Sequence, residues 1–237
     1  MTDTYRLAGL CIRVTSVYGS VHRLCRDYRA EDAADFSVET AREDIDFERQ
    51  KSAQADGPRV SDGYLETLAV YRKIAEKLPT YGTVLMHGSC VAVDGEGYLF
   101  LAPSGTGKST HTRLWRDLFG CRALMVNDDK PLVHVGDSET LACGTPWDGK
   151  HRLSANVAVP LRAICLLGRA AENTISPISA CEAFPTLVRQ TYRPADPEAL
   201  EMTLTLLDRM KTTVRFFRLG CNMEPEAARI AYEGMKG

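Results

Sequence analysis

The sequence predicts an α/β protein, and three stretches carry that prediction. Residues 98–101 form an apolar run that indicates a buried strand, and a Gly-rich loop and a helix follow it directly. Before this run, Asp94-Gly95-Glu96-Gly97 separates two apolar segments, which is a strong hairpin signal. After the helix, a second apolar strand at 123–126 ends in Asn127-Asp128-Asp129. Strands and helices therefore surround the loop at 102–107.

The composition resembles that of ordinary soluble proteins. Of the 237 residues 44% are apolar and 25% charged, and the net charge is −2, so nothing here predicts nucleic-acid binding. No apolar run approaches the roughly 18 residues of a transmembrane helix, and no signal peptide is recognised. The eight cysteines are scattered without a CxxC pair, which indicates reduced thiols rather than a zinc site. We expect a cytoplasmic protein without a nucleic-acid or membrane partner.

A boundary near residue 80 is expected to divide the chain into an N-terminal α+β segment, 1–80, and a second domain, 81–237. Alternation over 5–17 predicts a half-buried strand, and Phe36 with Val38 suggests another. Residues 20–30 fit either a short helix or an irregular segment. A helix begins near Ser61 and ends at Pro79. Residues 26–56 hold ten acidic and five basic side chains, which fits a solvated surface or a basic partner.

The loop itself has the pattern of a phosphate-binding P-loop, or Walker A motif. Glycines allow backbone N–H groups to close around phosphate oxygens, and the helix that follows adds the positive end of its dipole. Lys108 is predicted to reach the β- and γ-phosphates and Ser109 to bind Mg²⁺. Ala102 replaces the opening glycine of the strict pattern. The motif predicts ATP and Mg²⁺ as cofactors, with the nucleotide held by Ser104, Gly105, Thr106, Gly107, Lys108, Ser109 and Thr110.

The hairpin brings His87 towards this loop in either of two registers. If Gly95 and Glu96 form the turn, His87 lies opposite Ser104, and if Asp94 and Gly95 form it, His87 lies opposite Ala102. A single histidine on a strand is often structural. Its place beside the loop equally fits contact with the γ-phosphate or the metal ion.

Asn127-Asp128-Asp129 and the loop at 144–152 are the other candidate site segments. A buried strand that delivers carboxylates at its C-terminal end can hold Mg²⁺ or take a proton from a hydroxyl, although Asn-Asp-Asp is also good turn chemistry. The loop is either a substrate-binding loop or an exposed connection with one buried Trp. Its candidate substrate residues are Trp147, Asp148, Lys150 and Arg152.

Further elements are predicted on both sides of these segments. The helix after the Gly-rich loop is expected to bury Leu114, Trp115, Leu118 and Phe119. A hairpin is expected around Gly136-Asp137, and a buried strand at 163–167. Helices are predicted at 179–190, 197–211 and 224–234, with a strand at 214–219, and the second of these helices places Leu200, Leu204, Leu207 and Met210 on one face.

The sequence MHGSCVAVDGEGYLFLAPSGTGKST at 86–110, followed by VNDD at 126–129, resembles the catalytic core of HPr kinase/phosphorylase and of ATP-dependent phosphoenolpyruvate carboxykinase. The resemblance covers 83–168 clearly and the C-terminal part faintly, while 1–80 match neither family. It implies a P-loop kinase-like fold with a mixed β core and flanking helices.

The resemblance also implies roles for individual residues. Asp128 matches the general base of HPr kinase, and Asp129 matches the metal ligand of the carboxykinase. His87 matches an active-site histidine in the kinase and a metal-binding histidine in the carboxykinase. Both families place an acid near the nucleotide where this chain has Asp148. The chain lacks the large substrate domain of a carboxykinase, and GTPWDGKHRL at 144–153 replaces an HPr kinase segment rich in Gly and Ile.

The expected function is an ATP- and Mg²⁺-dependent kinase. It transfers the γ-phosphoryl group to a hydroxyl of a protein, a peptide or a small molecule, with Asp128 as base and with Lys108 and His87 at the reacting groups. The alternative is a non-catalytic, nucleotide-gated binding module. The sequence specifies neither the acceptor nor the choice of ATP over GTP, and it leaves a phosphorylase activity, homo-oligomer formation and the role of 1–80 open.

Overall fold

A computed structural model describes residues 1–53, 60–149 and 151–236. The chain separates into two compact units, Met1–Lys77 and Leu78–Gly237, which are described one at a time. Within the described residues, no helix is both long and apolar enough to cross a membrane.

The N-terminal unit is a small sheet with three α-helices among its described residues. Strands β1 (Thr2–Leu7) and β2 (Leu10–Thr15) pair antiparallel, and β3 (Phe36–Glu39) lies parallel to β2. The helices are α1 (Ser20–Leu24), α2 (Arg42–Ala53) and α3 (Asp62–Lys77).

The first strand prediction needs a correction, because 5–17 is not one strand. Ala8 and Gly9 take positive φ angles of 49° and 82° and turn the chain back on itself. The apolar positions change from odd numbers (Tyr5, Leu7) to even numbers (Leu10, Ile12, Val14) across this turn, a shift that the prediction of one strand overlooked. The strand at Phe36 and Val38, the short helix after residue 20 and the helix that ends before Pro79 are all confirmed.

The C-terminal unit contains a mixed sheet with helices on both faces. Its strands are β4 (Thr83–Leu85), β5 (Ser89–Val93), β6 (Glu96–Leu101), β7 (Ala123–Asn127), β8 (Leu132–Val135), β9 (Thr140–Cys143), β10 (Ala158–Arg169), β11 (Thr174–Pro177) and β12 (Arg215–Cys221). The order is β4-β8-β9-β10-β6-β5-β7, and β12 joins β10 to β11. The long strand β10 runs parallel to β6 and β12 and antiparallel to β9. The α/β class and the mixed sheet are therefore confirmed.

The run at 98–101 is apolar throughout because both faces of the sheet are covered. Leu99 and Leu101 pack into a core that includes residues of α5 (Ala180–Gln190) and α6 (Pro197–Arg209). Tyr98 and Phe100 point to the opposite face, into a core shared with α4 (Lys108–Phe119) and α7 (Glu226–Met235). A strand that is buried on both faces loses the alternation of a half-exposed strand.

The helices of this unit lie where the sequence predicts them, but some of the side chains that were predicted to be buried are not. Leu118 of α4 is exposed and Phe119 half-buried, because the helix packs mainly through Leu114 and Trp115. In α6, Leu204 is exposed and Leu200 half-buried. The residues that this helix and the turn after it bury are Ala199, Thr203, Leu206, Leu207 and Met210. The small residues Ala199 and Thr203 contact the core, so a pattern built on large apolar residues misplaces that face.

Candidate functional site at one edge of the sheet

The topology brings four chain segments to one edge of the sheet. Strands β6 and β7 are both antiparallel to β5, so their C-terminal ends lie at the edge where β5 begins. Strand β10 is parallel to β6 and ends at this edge as well. The segments at 102–107, 127–130, 87–89 and 169 therefore meet there, and loops outside the carboxyl ends of strands are the usual ligand sites of α/β sheets.

The loop at 102–107, here called the glycine loop, connects β6 directly to α4. Gly105 and Gly107 have φ angles of 76° and 123°, which side-chain-bearing residues rarely adopt. A Cβ atom at either glycine would meet nothing within 4 Å, so the two positions require glycine for their backbone conformation. Ser104 and Gly105 are exposed, Thr106 and Gly107 half-buried. The backbone of the loop is thus open to a ligand at these residues.

Lys108 lies at the first position of α4 and folds back on the glycine loop. Its Nζ donates to the carbonyl oxygens of Ala102 at 2.8 Å and Pro103 at 3.4 Å. The side chain is buried. Burial lowers the pKa of Lys108 below its ordinary value, while the nearby carboxylates of Asp129 and Asp128 act in the opposite direction. Lys108 therefore sits between the loop and the two acids.

Arg169 holds the glycine loop from another side, a contact that the sequence analysis missed. Leu166 of β10 pairs with Leu101, so three residues later β10 lies beside the loop that follows β6. The Arg169 guanidinium donates to the carbonyl oxygens of Gly105 at 2.5 Å and Thr106 at 3.1 Å. These bonds fix the direction of both peptide groups. The signal that was available was an arginine at the end of a buried strand.

The hairpin uses Asp94 and Gly95 as its turn, the second of the two registers considered. Val93 pairs with Glu96, and both turn residues have positive φ angles, as a two-residue hairpin turn requires. His87 lies just before β5 and beside the acids, with Nε2 3.6 Å from Oδ1 of Asp129. Burial and then the charge of Lys108 lower the pKa of His87, against the opposing charge of Asp129.

Asn127-Asp128-Asp129 forms a tight turn and also places carboxylates at the site. Asn127 Oδ1 accepts hydrogen bonds from the backbone N–H groups of Asp129 at 2.8 Å and Lys130 at 2.6 Å. Asn127 Nδ2 donates to Thr145, which ties the turn to the loop at 144–152. The two interpretations of this motif are therefore compatible, since the turn holds the acids in place.

Asp128 is buried and held by a hydroxyl network that sequence reasoning did not find. Ser89 Oγ donates to Asp128 Oδ1 at 2.7 Å, and Thr112 Oγ1 of α4 lies 2.9 Å from Ser89 Oγ. Asp128 is 5% exposed, whereas about a third of the Asp129 side chain is exposed. The two neighbouring acids thus differ in surroundings, one enclosed and oriented, the other open.

The loop at 144–152 approaches Asp128 through its backbone. Trp147 is buried, but so are 144–146, so this part of the loop is not the exposed connection of the second alternative. A Cβ at Gly149 would lie 3.4 Å from Asp128 Oδ2. Asp148 accepts hydrogen bonds from the backbone and side chain of Ser154. Arg152 is exposed, and Lys150 lies outside the described residues.

The open groups at this edge of the sheet could hold a phosphate group together with a divalent cation. Across the part of the chain that the structure describes, no group of three or more His, Cys, Asp or Glu is placed to hold a metal. Ser109 is exposed in the first turn of α4, and Asp129 offers an open carboxylate. Mg²⁺ is commonly bound by one or two such protein oxygens, with substrate phosphates and water completing its shell. The open glycine backbone fits those phosphates.

Comparison with known proteins identifies one family. A family model described as "ScmC: SynChlorMet cassette protein ScmC" matches residues 63–222, more than half of the chain. No curated protein matches the sequence. Among solved structures, the Hpr(Ser) kinase/phosphatase from Coxiella burnetii matches with a TM-score of 0.31 and 10% identity, over 54% of this chain and 96% of that one. A likeness this slight carries no argument for fold or activity.

Proposed function

The chain belongs to the ScmC family of SynChlorMet cassette proteins, and we propose that it is an ATP- and Mg²⁺-dependent phosphotransferase of the P-loop kinase type. The acceptor is a hydroxyl group on a protein, a peptide or a small molecule. Support comes from one observation above all: the glycine loop with Lys108 and the oriented carboxylate of Asp128 lie at the same edge of the sheet. A protein that only binds a nucleotide has no need of an enclosed, hydrogen-bonded base.

Each residue of the site has a distinct part in this proposal. Backbone N–H groups of the glycine loop bind phosphate oxygens, and Lys108 leaves its loop carbonyls to neutralise phosphate charge. Ser109 and Asp129 hold Mg²⁺. Asp128 accepts the proton of the acceptor hydroxyl, and Ser89 keeps its carboxylate oriented. ATP, when bound with Mg²⁺, supplies the phosphoryl group. Phosphoryl transfer depends mainly on positioning and charge neutralisation, which these few groups provide.

Replacement of Asp128 by Asn tests the proposed role directly. Asp128→Asn keeps an oxygen that accepts from Ser89 and removes the proton acceptor, so phosphoryl transfer should fall at least about a hundredfold. MgATP affinity, measured by calorimetry, should change little. Lys108→Met should weaken MgATP binding instead. Asp137→Asn, a substitution at an exposed acid in the turn between β8 and β9, is the matched control. Transfer at the wild-type rate by Asp128→Asn would remove Asp128 from the mechanism.

The same variants distinguish the proposed phosphotransferase from the alternative function, a nucleotide-gated binding module. That module binds ATP or ADP through the glycine loop and shows no transfer to any hydroxyl acceptor in the wild type. Loss of affinity in Lys108→Met alone is therefore common to both functions. A difference between wild type and Asp128→Asn in transfer, at equal affinity, is expected only of the phosphotransferase.

A further inference from the structure

Gln190, the last residue of α5, is bonded through its backbone to the segment that carries His87. The N–H of His87 donates to the carbonyl oxygen of Gln190 at 2.6 Å. The N–H of Tyr192 donates to the carbonyl oxygen of Leu85 at 2.8 Å. On its other side, Gly88 donates its N–H to the carbonyl oxygen of Asp129 at 3.0 Å. A Cβ at Gly88 would meet Leu99 and Leu101 at 2.8 Å. The backbone around His87 is thus fixed on both sides.

The side-chain amide of Gln190 meets three acceptor positions at one of its ends. That end lies 2.9 Å from His87 Nδ1, 3.2 Å from the carbonyl oxygen of His87 and 3.3 Å from that of Ala102. Carbonyl oxygens only accept hydrogen bonds, so the amide end that faces them must be the NH₂ group. The amide NH₂ then faces His87 Nδ1 as well. A proton on Nδ1 would point at another donor, which leaves Nδ1 as an acceptor.

We propose that Gln190 is a positioning residue that fixes His87 as the neutral tautomer with its proton on Nε2. Nδ1 then accepts from Gln190, and Nε2 carries the proton and faces Asp129, whose Oδ1 lies 3.6 Å away. Neither nitrogen keeps a free lone pair for a metal ion or for a substrate proton. His87 is therefore a hydrogen-bond donor at the site, not a metal ligand or a general base.

The tautomer of His87 follows from the geometry alone. Only the group that Nε2–H contacts during turnover rests on the proposed function. Because Gln190 also lies 3.3 Å from the carbonyl oxygen of Ala102, it joins His87 to the start of the glycine loop. In the phosphotransferase, the donor at Nε2 serves an oxygen of the transferring phosphoryl group. Donors aimed at such oxygens stabilise the charge of the transition state.

Nitrogen NMR of ¹⁵N-histidine-labelled full-length protein tests the tautomer without any need for activity. Spectra that correlate ring nitrogens with carbon-bound ring protons show which nitrogen of each histidine is protonated, and His87→Asn identifies the signals of His87. At neutral pH we expect His87 with Nε2 protonated and Nδ1 unprotonated. A proton on Nδ1 in the wild type would overturn the inference, whether or not any variant folds.

Variants at position 190 test the role of the amide. Gln190→Met removes the donor, so the His87 signals should become those of exchanging tautomers. In Gln190→Glu the carboxylate only accepts, so the proton should move to Nδ1. Arg189→Met, at the exposed neighbour that bonds only within α5 among its described contacts, should keep the wild-type pattern. Unchanged His87 signals in folded Gln190→Met and Gln190→Glu would exclude Gln190 as the cause.

A kinetic measurement covers the part that depends on the proposed function. Gln190→Met should lower kcat about tenfold, as expected for one displaced charge-assisted hydrogen bond, with little change in the KM for ATP. A higher KM for ATP with an unchanged kcat would contradict the role of Nε2–H in turnover. If the wild type transfers no phosphoryl group, the proposed function fails, while the NMR result still decides the tautomer.

Discussion

Asp128 and Asp129 are neighbours in sequence, yet the fold gives them different surroundings. Asp128 is 5% exposed and accepts from Ser89, which in turn meets Thr112 of α4. Asp129 is more open and lies near His87 and Lys130. An enclosed, oriented carboxylate suits proton transfer, and an open one suits a hydrated metal ion. This difference is the residue-scale basis for assigning them separate roles.

Ser89→Ala tests whether the hydroxyl network orients Asp128. Loss of the bond to the carboxylate should lower kcat for phosphoryl transfer about tenfold or more, because hydrogen bonds to charged groups are the stronger ones. The KM for ATP should stay close to the wild-type value, since Ser89 lies next to Asp128 and not in the glycine loop. Steady-state kinetics would show this split. Ser176→Ala, on exposed β11, is the control, and equal kcat in both variants would contradict the role.

The sequence predicts the site residues that belong to a contiguous motif and misses the site residues that come from distant parts of the chain. The glycine loop and the Asp pair could be read from their own local pattern. Ser89 lies two residues after His87, on the strand already predicted, but nothing local connects it to Asp128. Gln190 and Arg169 are over sixty residues from their partners in the loop. Their contacts depend on strand order and register, which single residues do not encode.

The strand β10 is the element that links the rest of the sheet to the glycine loop. It pairs with β6, β9 and β12, and it ends in Arg169, whose guanidinium bonds two loop carbonyls. The sequence predicts only its central part, 163–167, because its N-terminal half alternates between buried and exposed residues. A strand that is half-exposed in one part and buried on both faces in another shows alternation in the first part and a continuous apolar run in the second.

Arg169→Gln should loosen the glycine loop and weaken MgATP binding about five- to tenfold, which corresponds to the loss of roughly one hydrogen-bonded contact. Arg169→Lys keeps the charge but loses the planar guanidinium that bonds two oxygens at once. Its MgATP affinity should therefore lie between those of the wild type and Arg169→Gln. Arg162→Gln is the control, since Arg162 lies on the same strand and pairs with Glu96 near the other end of β6. Calorimetry measures all four proteins. Equal affinities in Arg169→Gln and Arg162→Gln would contradict the role of Arg169.

Within the N-terminal unit, α1 is tied to the sheet through a half-buried histidine. His22 Nδ1 lies 2.7 Å from the Tyr5 hydroxyl and Nε2 lies 2.8 Å from Ser16 Oγ. Burial lowers the pKa of His22 below its ordinary value of 6.5. The folded unit therefore binds this proton less readily than the unfolded chain does. The short helix α1 thus carries a pH-dependent contribution to stability.

The free energy of unfolding should be insensitive to His22 above pH 6.5. Below that value the unfolded chain takes up the proton first, so stability falls with decreasing pH, by at most about 1.4 kcal/mol per unit from this group. Urea unfolding of wild type and His22→Gln, followed by circular dichroism at pH 7.5, 6.0 and 5.0 (conditions chosen to span roughly the histidine range), measures the difference. Parallel losses of stability in both proteins would contradict the assignment.

At the scale of the whole molecule, the two units differ in how much their sequences reveal. The C-terminal unit has motifs whose spacing fixes a strand–loop–helix order, so its α/β class and the hairpin beside the loop could be predicted. Its strand order could not, because β10 joins partners from three separate parts of the sequence. The N-terminal unit has no chemical motif, and its hairpin at Ala8-Gly9 is marked in the apolar pattern by a change of the apolar positions from odd to even numbers.

The family match begins at residue 63 and ends at residue 222, so it includes most of the C-terminal unit and the greater part of α3. The candidate site lies entirely within the matched residues. The match does not include residues 1–62, the greater part of the N-terminal unit.

The most direct measurement follows the γ-phosphoryl group itself. Purified protein is incubated with Mg²⁺, γ-labelled ATP and extract from its native cells, and the label is traced to its product. We expect label on a hydroxyl-bearing acceptor with wild type and with Asp137→Asn, and none above background with Asp128→Asn. Label that stays in ATP, or that appears only as inorganic phosphate with the wild type, would contradict a phosphotransferase.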